Sequence, residues 1–430
     1  VRIPVPVLVG VATLLTRVPF LFDAGLGSDP DAWRLALAGR YLADTGEYRT
    51  SRPPGYPLVE LVAAGLHGAP WWVFTAATAV VGAVGVGALA DLARQLGIRW
   101  WPVAAAGTAL TPVVLRASTS FMDYTWSFGF LMVALALAAR LRWTAAGAAF
   151  GLAVAARPAT AVCAVVVAVV LAGLRRPRED WARFAVAATV AAGMFLVVPL
   201  SAFGPAVVSA ADEHVSLTVA VGRMTTGVWG GFGVLAVLVG AGVAVWRWHA
   251  RAVWMPAALA GVLAVTALFA LLPADPGYLI PAVPLAWLVL AEALPGSVAV
   301  VVVTAVATSC FVAPSPSPVF GRTAVADLAL RRDNEARAVA GRESIARLPL
   351  GAGVVAGSRM PELIAGLDPA VLEDPALTGP ARSLQMPRRV RLPGGQLIGY
   401  AATDLPDAVV LFRLPEAPGT EPVLDQARAA

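Results

Sequence analysis

The sequence predicts an all-α polytopic membrane protein of about eleven spanning helices, with a small α+β domain at its C-terminal end. Three observations lead there. The 430 residues are 58% hydrophobic and only 14% charged, with a mean hydropathy of +0.74, and a water-soluble core cannot absorb so much apolar surface. Apolar stretches recur at the roughly 18 to 25 residues that a helix needs to cross hydrocarbon. Arginines collect in the short segments between those stretches, as the positive-inside rule requires of cytoplasmic loops.

The expected spans are residues 4–22, 70–93, 101–117, 121–139, 143–156, 159–174, 182–203, 227–247, 253–272, 278–293 and 297–313. The first reads as a retained signal anchor, because no small-residue cleavage site precedes the charged segment. Arg157-Pro158 between the fifth and sixth reads as a tight turn. Merging those two spans would invert everything downstream and move Arg247 and Arg251 outside. Kept apart, with the N-terminus in the cytoplasm, they leave Arg94 and Arg99, Arg140 and Arg142, Arg175, Arg176, Arg178 and Arg183, and Arg247 and Arg251 in four successive cytoplasmic loops. The same count puts the loop 23–70, the loop 204–226 and everything beyond residue 313 on the outer face. Residues 57–67 are apolar but too short to cross, so they are expected to lie along or dip into the outer leaflet.

The transmembrane domain therefore covers 1–313. Pro314-Ser315-Pro316-Ser317-Pro318 opens a linker over 314–319, and residues 320–430 form the extracytoplasmic domain. Within it 320–345 is expected to be helical, with Arg331, Arg332, Asp333, Glu335, Arg337 and Glu343 on a solvated surface. Strands are expected at Gly353 to Ala356, Gln396 to Ala401 and Ala408 to Phe412.

Composition also excludes. The isoelectric point near 9.7 comes from 32 basic residues, all of them arginine, and their place in loops between spans argues for membrane orientation and against nucleic acid. Arginine, alanine, valine, glycine and proline richness suggests a GC-rich coding sequence and a bacterial plasma membrane. Cys163 and Cys310 sit in apolar runs and make neither a disulfide framework nor a metal site. Asp212-Glu213-His214 is an acidic cluster that lacks the further ligands of a metal site. His67 and His249 read as structural, and Trp71, Trp72, Trp100, Trp101, Trp246, Trp248 and Trp254 fall at span ends like an aromatic belt.

The densest polar chemistry lies in the first outer loop. Gly27-Ser28-Asp29-Pro30-Asp31-Ala32-Trp33-Arg34 is followed by Arg40-Tyr41, Gly46-Glu47-Tyr48-Arg49 and Ser51-Arg52-Pro53-Pro54-Gly55-Tyr56-Pro57. Asp29 before Pro30 has the form of a helix N-cap with proline at the first helical position, and Asp31 suits the positive end of the helix dipole. Farther on stand Ser118-Thr119-Ser120-Phe121-Met122-Asp123, Gly147 to Arg157, and Tyr278-Leu279-Ile280-Pro281-Ala282-Val283-Pro284.

In order and spacing these segments resemble the GT-C glycosyltransferase superfamily over residues 1–313, nearest to its protein O-mannosyltransferase and aminoarabinose transferase branches. The resemblance implies an enzyme that moves a sugar from a polyprenyl-phosphate carrier to an extracytoplasmic acceptor: a cell-wall glycan, a glycolipid or a protein. It implies catalytic carboxylates at Asp29 or Asp31, with Asp123 as a helper that orients the acceptor or a metal. Which of the first two acts is open, because Asp-Pro-Asp stands where the mannosyltransferases have adjacent Asp-Glu. The basic residue often found before Tyr-Leu-x-Pro is replaced by Asp275-Pro276-Gly277.

Transfer from such a donor needs a base for the acceptor, cations for the departing phosphate and an apolar groove for the lipid. Arg52 and Arg157 are the expected phosphate-binding cations, since a guanidinium fork binds two oxygens and stays charged; Arg34, Arg40, Arg49 and Arg116 are alternatives. Tyr56 and Tyr278 are the expected substrate contacts. The sequence assigns no metal ligand and leaves a divalent cation open. Two other classes remain: a transporter or flippase of a lipid-linked precursor, and a catalytically inactive assembly subunit. A transporter should carry charge within its spans, and Glu292 and Asp91 fall near span ends.

Overall fold

The computed structural model describes residues 3–22, 25–52, 54–203, 215–247, 253–273, 275–313, 323–346, 353–356, 362, 389–391 and 397–400. The chain forms two compact units, one of Val1–Phe22, Thr75–Leu196 and Ala211–Asp327, the other of Asp23–Phe74, Val197–Ala210 and Leu328–Ala430.

The described secondary-structure elements of the first unit are all helical, and every expected apolar stretch in it contains a helix. By length and hydropathy, three helices among the described residues suffice to cross a membrane: Trp71–Gln95, Arg178–Ser201 and Trp254–Leu271. A fourth arises if Leu217–Trp229 and Gly231–Trp246, bent by 88° at Gly230, count as one. Two further stretches are divided by proline or by an extended residue. The stretch 101–117 breaks into Trp101–Ala109 and Pro112–Ala117, since Pro112 has no N–H to continue the ladder. Arg157 is extended, with φ −153° and ψ 105°, and separates Trp143–Ala156 from the 3-10 turn Pro158–Cys163 and the helix Ala164–Gly173. Such breaks occur in membrane-spanning helices where protein groups re-satisfy the freed backbone. On Arg178–Phe203, Val186, Val190 and Met194 form an exposed apolar stripe at helical spacing, a face suited to lipid.

In the second unit the helix Pro30–Thr45 starts as the sequence predicts. Asp29 is its N-cap, Pro30 its first residue, and Gly46, with φ +73°, its C-cap. A second helix, Pro57–Gly65, packs against it. The two backbones approach so closely that a Cβ on Gly39 would overlap Ala63. Trp33 meets Trp71 edge to face at 5.4 Å between ring centroids.

The helix expected over 320–345 is Ala324–Ala346. Arg331 departs from its expected solvated position, being only 2% exposed. It shares the helix face of Asn334 and Ala338, both also buried, because residues three and four apart lie together. Three strands follow, β1 (Gly353–Ala356), β2 (Arg389–Arg391) and β3 (Leu397–Tyr400). They order as β1-β3-β2, with β1 parallel and β2 antiparallel to β3. β1 and β3 match expected strands and β2 was not anticipated. The linker 314–319, the Ala408 to Phe412 strand and the Asp212-Glu213-His214 cluster lie outside the described residues.

Candidate functional site

The sequence-predicted residues fall into two groups, one in each unit. In the second unit the acidic motif is built by the start of the helix Pro30–Thr45. Asp29 Oδ1 accepts the Asp31 N–H at 2.9 Å, so the capping bond turns the chain and sends Asp31 to the helix's first turn. Asp31 bridges two cations. Its Oδ1 accepts from Arg34 Nη1 at 2.5 Å, and its Oδ2 lies 3.1 Å from Arg52 Nη1. The guanidinium of Arg52 rests over the Tyr56 ring, 4.2 Å from its centroid. Asp31, Arg52 and Tyr56, 25 positions apart in sequence from first to last, are thus assembled into one cluster. Arg52 is 7% exposed, which strengthens its electrostatic reach compared with a solvated arginine.

A second layer holds the loop between the two helices. Tyr41 donates to Glu47 at 3.0 Å and carries the Arg49 guanidinium over its ring at 4.2 Å. Burial, reinforced by Glu47, raises the Tyr41 phenol above its ordinary range. Glu60, on the helix Pro57–Gly65, accepts hydrogen bonds from the Ser51 N–H at 2.7 Å, the Ser51 hydroxyl at 2.6 Å and the Tyr48 hydroxyl. Burial pushes the Glu60 carboxyl upward and the Tyr48 phenol strongly upward. Sequence reasoning passed over this network, although Glu60 is the lone acid in the apolar run 57–67. An unpaired carboxylate there would be costly, and that cost was the available signal.

In the first unit Asp123 is the first residue of the helix Asp123–Ala139 and is fully buried. It pairs with Arg157 Nη1. The backbone break after Trp143–Ala156 aims Arg157 between two aromatic rings, with its guanidinium carbon 4.0 Å from the centroids of both Tyr124 and Tyr278. Those rings are tilted by 59° with centroids 6.0 Å apart. Tyr278 is delivered by a turn with the same Asp-Pro device that opens the acidic motif. Asp275 accepts the Gly277 N–H at 2.6 Å and Pro276 opens the 3-10 turn Pro276–Leu279. Arg157 therefore links Asp123 to Tyr278, and Tyr124, a residue the sequence did not single out, joins them.

Arg17 is also new. It lies inside the first expected span and is 1% exposed. It donates to Ala109 O at 2.6 Å, Thr16 Oγ1 at 2.6 Å, Ser118 Oγ at 3.1 Å and Thr13 O at 3.4 Å. Ala109 closes the helix interrupted by Pro112, so the guanidinium satisfies a carbonyl that the break leaves without its intrahelical partner. Its charge serves the backbone break. Among the described residues no group of three or more His, Cys, Asp or Glu is arranged to hold a metal ion.

No protein-family model matches the chain, and no curated protein matches it in sequence. Solved structures do match in fold. ArnT from Cupriavidus metallidurans, in the apo state, aligns with a TM-score of 0.55 at 17% identity, covering 88% of this chain and 84% of that one. An Archaeoglobus fulgidus oligosaccharyltransferase, tethered to an acceptor peptide containing the NVT sequon, aligns at 0.50 and 13% identity over 84% of this chain. The chain spans 63% of that protein's length. The chain therefore shares its fold with these two structures, ArnT and the oligosaccharyltransferase.

Proposed function

We propose that this protein is a membrane glycosyltransferase that moves a sugar from a polyprenyl-phosphate carrier to an extracytoplasmic acceptor. The observation that carries the reading is the Asp31–Arg52 pair. A carboxylate motif at a helix start and the arginine of a proline-rich loop meet in one cluster, inside a chain whose fold is shared with ArnT and an oligosaccharyltransferase. In the proposed reaction the acceptor oxygen attacks the anomeric carbon, the bond from that carbon to the phosphate oxygen breaks, and the phosphate leaves with the electron pair. Asp29 takes the acceptor proton. Asp31, engaged by Arg34 and Arg52, is the second candidate for that role and holds Arg52 toward the leaving phosphate. Arg52 neutralises the charge that develops there. Tyr56 backs the arginine and contacts the donor. For the first unit's own cluster the resemblance implies that Asp123 orients an acceptor and that Arg157, fixed between Tyr124 and Tyr278, binds donor phosphate. Tyr278 presents the remaining ring surface to substrate.

The proposal extends to topology. Eleven spans with the N-terminus in the cytoplasm of a bacterium place the loop 23–70 and the domain 320–430, read as α+β, on the outer face of the plasma membrane. A cysteine at position 29 is then labelled by an impermeant maleimide from outside. Labelling only from the cytoplasmic side removes the proposal.

The activity test uses the full chain in lipid nanodiscs with a radiolabelled polyprenyl-phosphate sugar and a lipid extract as acceptor. Wild type transfers label, and Asp29→Asn and Asp31→Asn lower the rate by about 100-fold or more, the usual scale for losing a general base. Unchanged transfer in both variants eliminates the mechanism. Full retention in Asp123→Asn eliminates only the helper role.

A further inference from the structure

Glu60 takes no part in the chemistry above, yet it is 1% exposed and accepts three hydrogen bonds. A carboxylate removed from water is costly unless its partners compensate, and an apolar residue at this point of the helix Pro57–Gly65 would avoid that cost. What Glu60 gains is specific. All three donors come from the loop that connects the two helices, and two of them belong to Ser51, the residue directly before Arg52. The third, the Tyr48 hydroxyl, lies near Gly55, where a Cβ would come within 3.2 Å of it. On its far side the same loop ends at Tyr56, which caps the helix that bears Glu60 and underlies Arg52 at 4.2 Å. Arg52 therefore sits between two anchor points, Ser51 and Tyr56, both tied to one short helix.

We infer that Glu60 is a positioning residue: through Ser51 it fixes the backbone that carries Arg52, and so sets the arginine's approach to Asp31 and to the phosphate of the donor. The inference rests on the reading of Arg52 as the donor-phosphate cation. The hydrogen bonds define what can replace Glu60. Oε1 must accept, because the Ser51 N–H can only donate. Oε2 faces Tyr48, whose hydroxyl can donate or accept. Glutamine can thus keep every bond by turning its amide nitrogen toward Tyr48, whereas alanine loses all three. The upward push of burial on the Glu60 carboxyl agrees with this, since the protonated acid presents the same pattern as glutamine.

The experiment compares Arg52→Ala, Glu60→Ala, Glu60→Gln, Ser51→Ala and the double variant Arg52→Ala/Glu60→Ala in full-length protein in nanodiscs. It measures KM for a polyprenyl-phosphate sugar, kcat, and amide hydrogen exchange over residues 48–56. Arg52→Ala should raise the donor KM by about tenfold, the scale of one lost charged contact. Glu60→Ala should raise it by about three- to tenfold with kcat changed less, and should speed exchange at the Ser51 amide by about tenfold. Glu60→Gln should restore both to within about twofold, and Ser51→Ala, which keeps the N–H, should fall between. The double variant should show no more KM loss than Arg52→Ala, because a residue acting through Arg52 has nothing left to position. Additive losses, or unchanged exchange in Glu60→Ala, overturn the proposal whatever the activity. A tenfold KM change in Arg52→Ala beside an unchanged KM in Glu60→Ala overturns the positioning role and leaves the donor reading standing. An unchanged KM in Arg52→Ala overturns the donor reading, and the functional half of this inference falls with it. Should Glu60→Ala fail to accumulate, Ser51→Ala and Glu60→Gln carry the same comparison.

Discussion

Truncating Arg157 to alanine should prevent the protein from accumulating in folded form. The side chain is 3% exposed and its partner Asp123 is fully buried, so the variant strands a carboxylate without its cation, at a cost of about 3–5 kcal/mol. Two ring contacts at 4.0 Å also disappear, each contributing about 0.5–2 kcal/mol. The sum, about 4–9 kcal/mol, is comparable to the whole stability of many domains. Arg157→Lys keeps the charge but replaces a flat group matched to two rings by a compact ammonium, and should cost about 1–3 kcal/mol. The decisive variant is the double one. Asp123→Ala with Arg157→Ala removes both charges together, so its cost should fall short of the summed single costs by about 2–3 kcal/mol. Where the single alanine variants do not accumulate, Asp123→Asn and Arg157→Gln close the same cycle. Denaturant titration in detergent micelles, followed by the fluorescence of the 13 tryptophans, measures each term. Costs that add to within about 0.5 kcal/mol would show that Asp123 and Arg157 do not depend on each other, and the account of this pair would be wrong.

Three further outcomes follow from other features. Gly39→Val forces a side chain against the Ala63 backbone and should destabilise by about 1–3 kcal/mol through overpacking, with faster hydrogen exchange in 30–45 and 57–65; an unshifted denaturation midpoint would refute the close approach. Arg17→Met leaves the Ala109 carbonyl without its donor and should cost about 1–3 kcal/mol despite the relief of burying a charge; a stabilised protein would mean that the carbonyl has found another partner. Glu60 has its carboxyl raised above the ordinary 4.5 by burial, so its contribution to stability is complete below that pH and is lost as pH rises through the raised value. The midpoint of wild type relative to Glu60→Gln should therefore fall as pH increases above about 4.5, and a rising difference would contradict the direction.

Much of this was legible in the chain because local rules decided it. Asp-Pro announced the start of the helix Pro30–Thr45, and left-handed Gly46 ended it, with no tertiary contact needed to specify either. Every apolar stretch expected to be a span contains helix, since hydropathy and length are local quantities. The helix lengths were less legible. Pro112 divides the stretch 101–117, which reads as continuous, whereas the break at Arg157-Pro158 was announced by its proline; what makes the Pro112 break tolerable comes from far along the chain, as Arg17 does for Ala109. Arg331 is buried although charge alone predicts a solvated position, because its face is set by residues three and four positions away. The cluster of Asp31, Arg52 and Tyr56 could be named from motifs, but the role of Glu60 could not. Its meaning depends on which two residues of a neighbouring loop point at it.

The hairpin formed by residues 29–65 has one property that reaches past this chain. Beside the outward contact of Trp33 with Trp71, the ties from Asp29 to Asp31, from Asp31 to Arg34 and Arg52, from Glu60 to Ser51 and Tyr48, and from Gly39 to Ala63 begin and end inside residues 29–65. These ties are specified by the segment's own sequence. Transplanted between backbones of the same architecture, the segment should carry the spacing of acid and arginine with it.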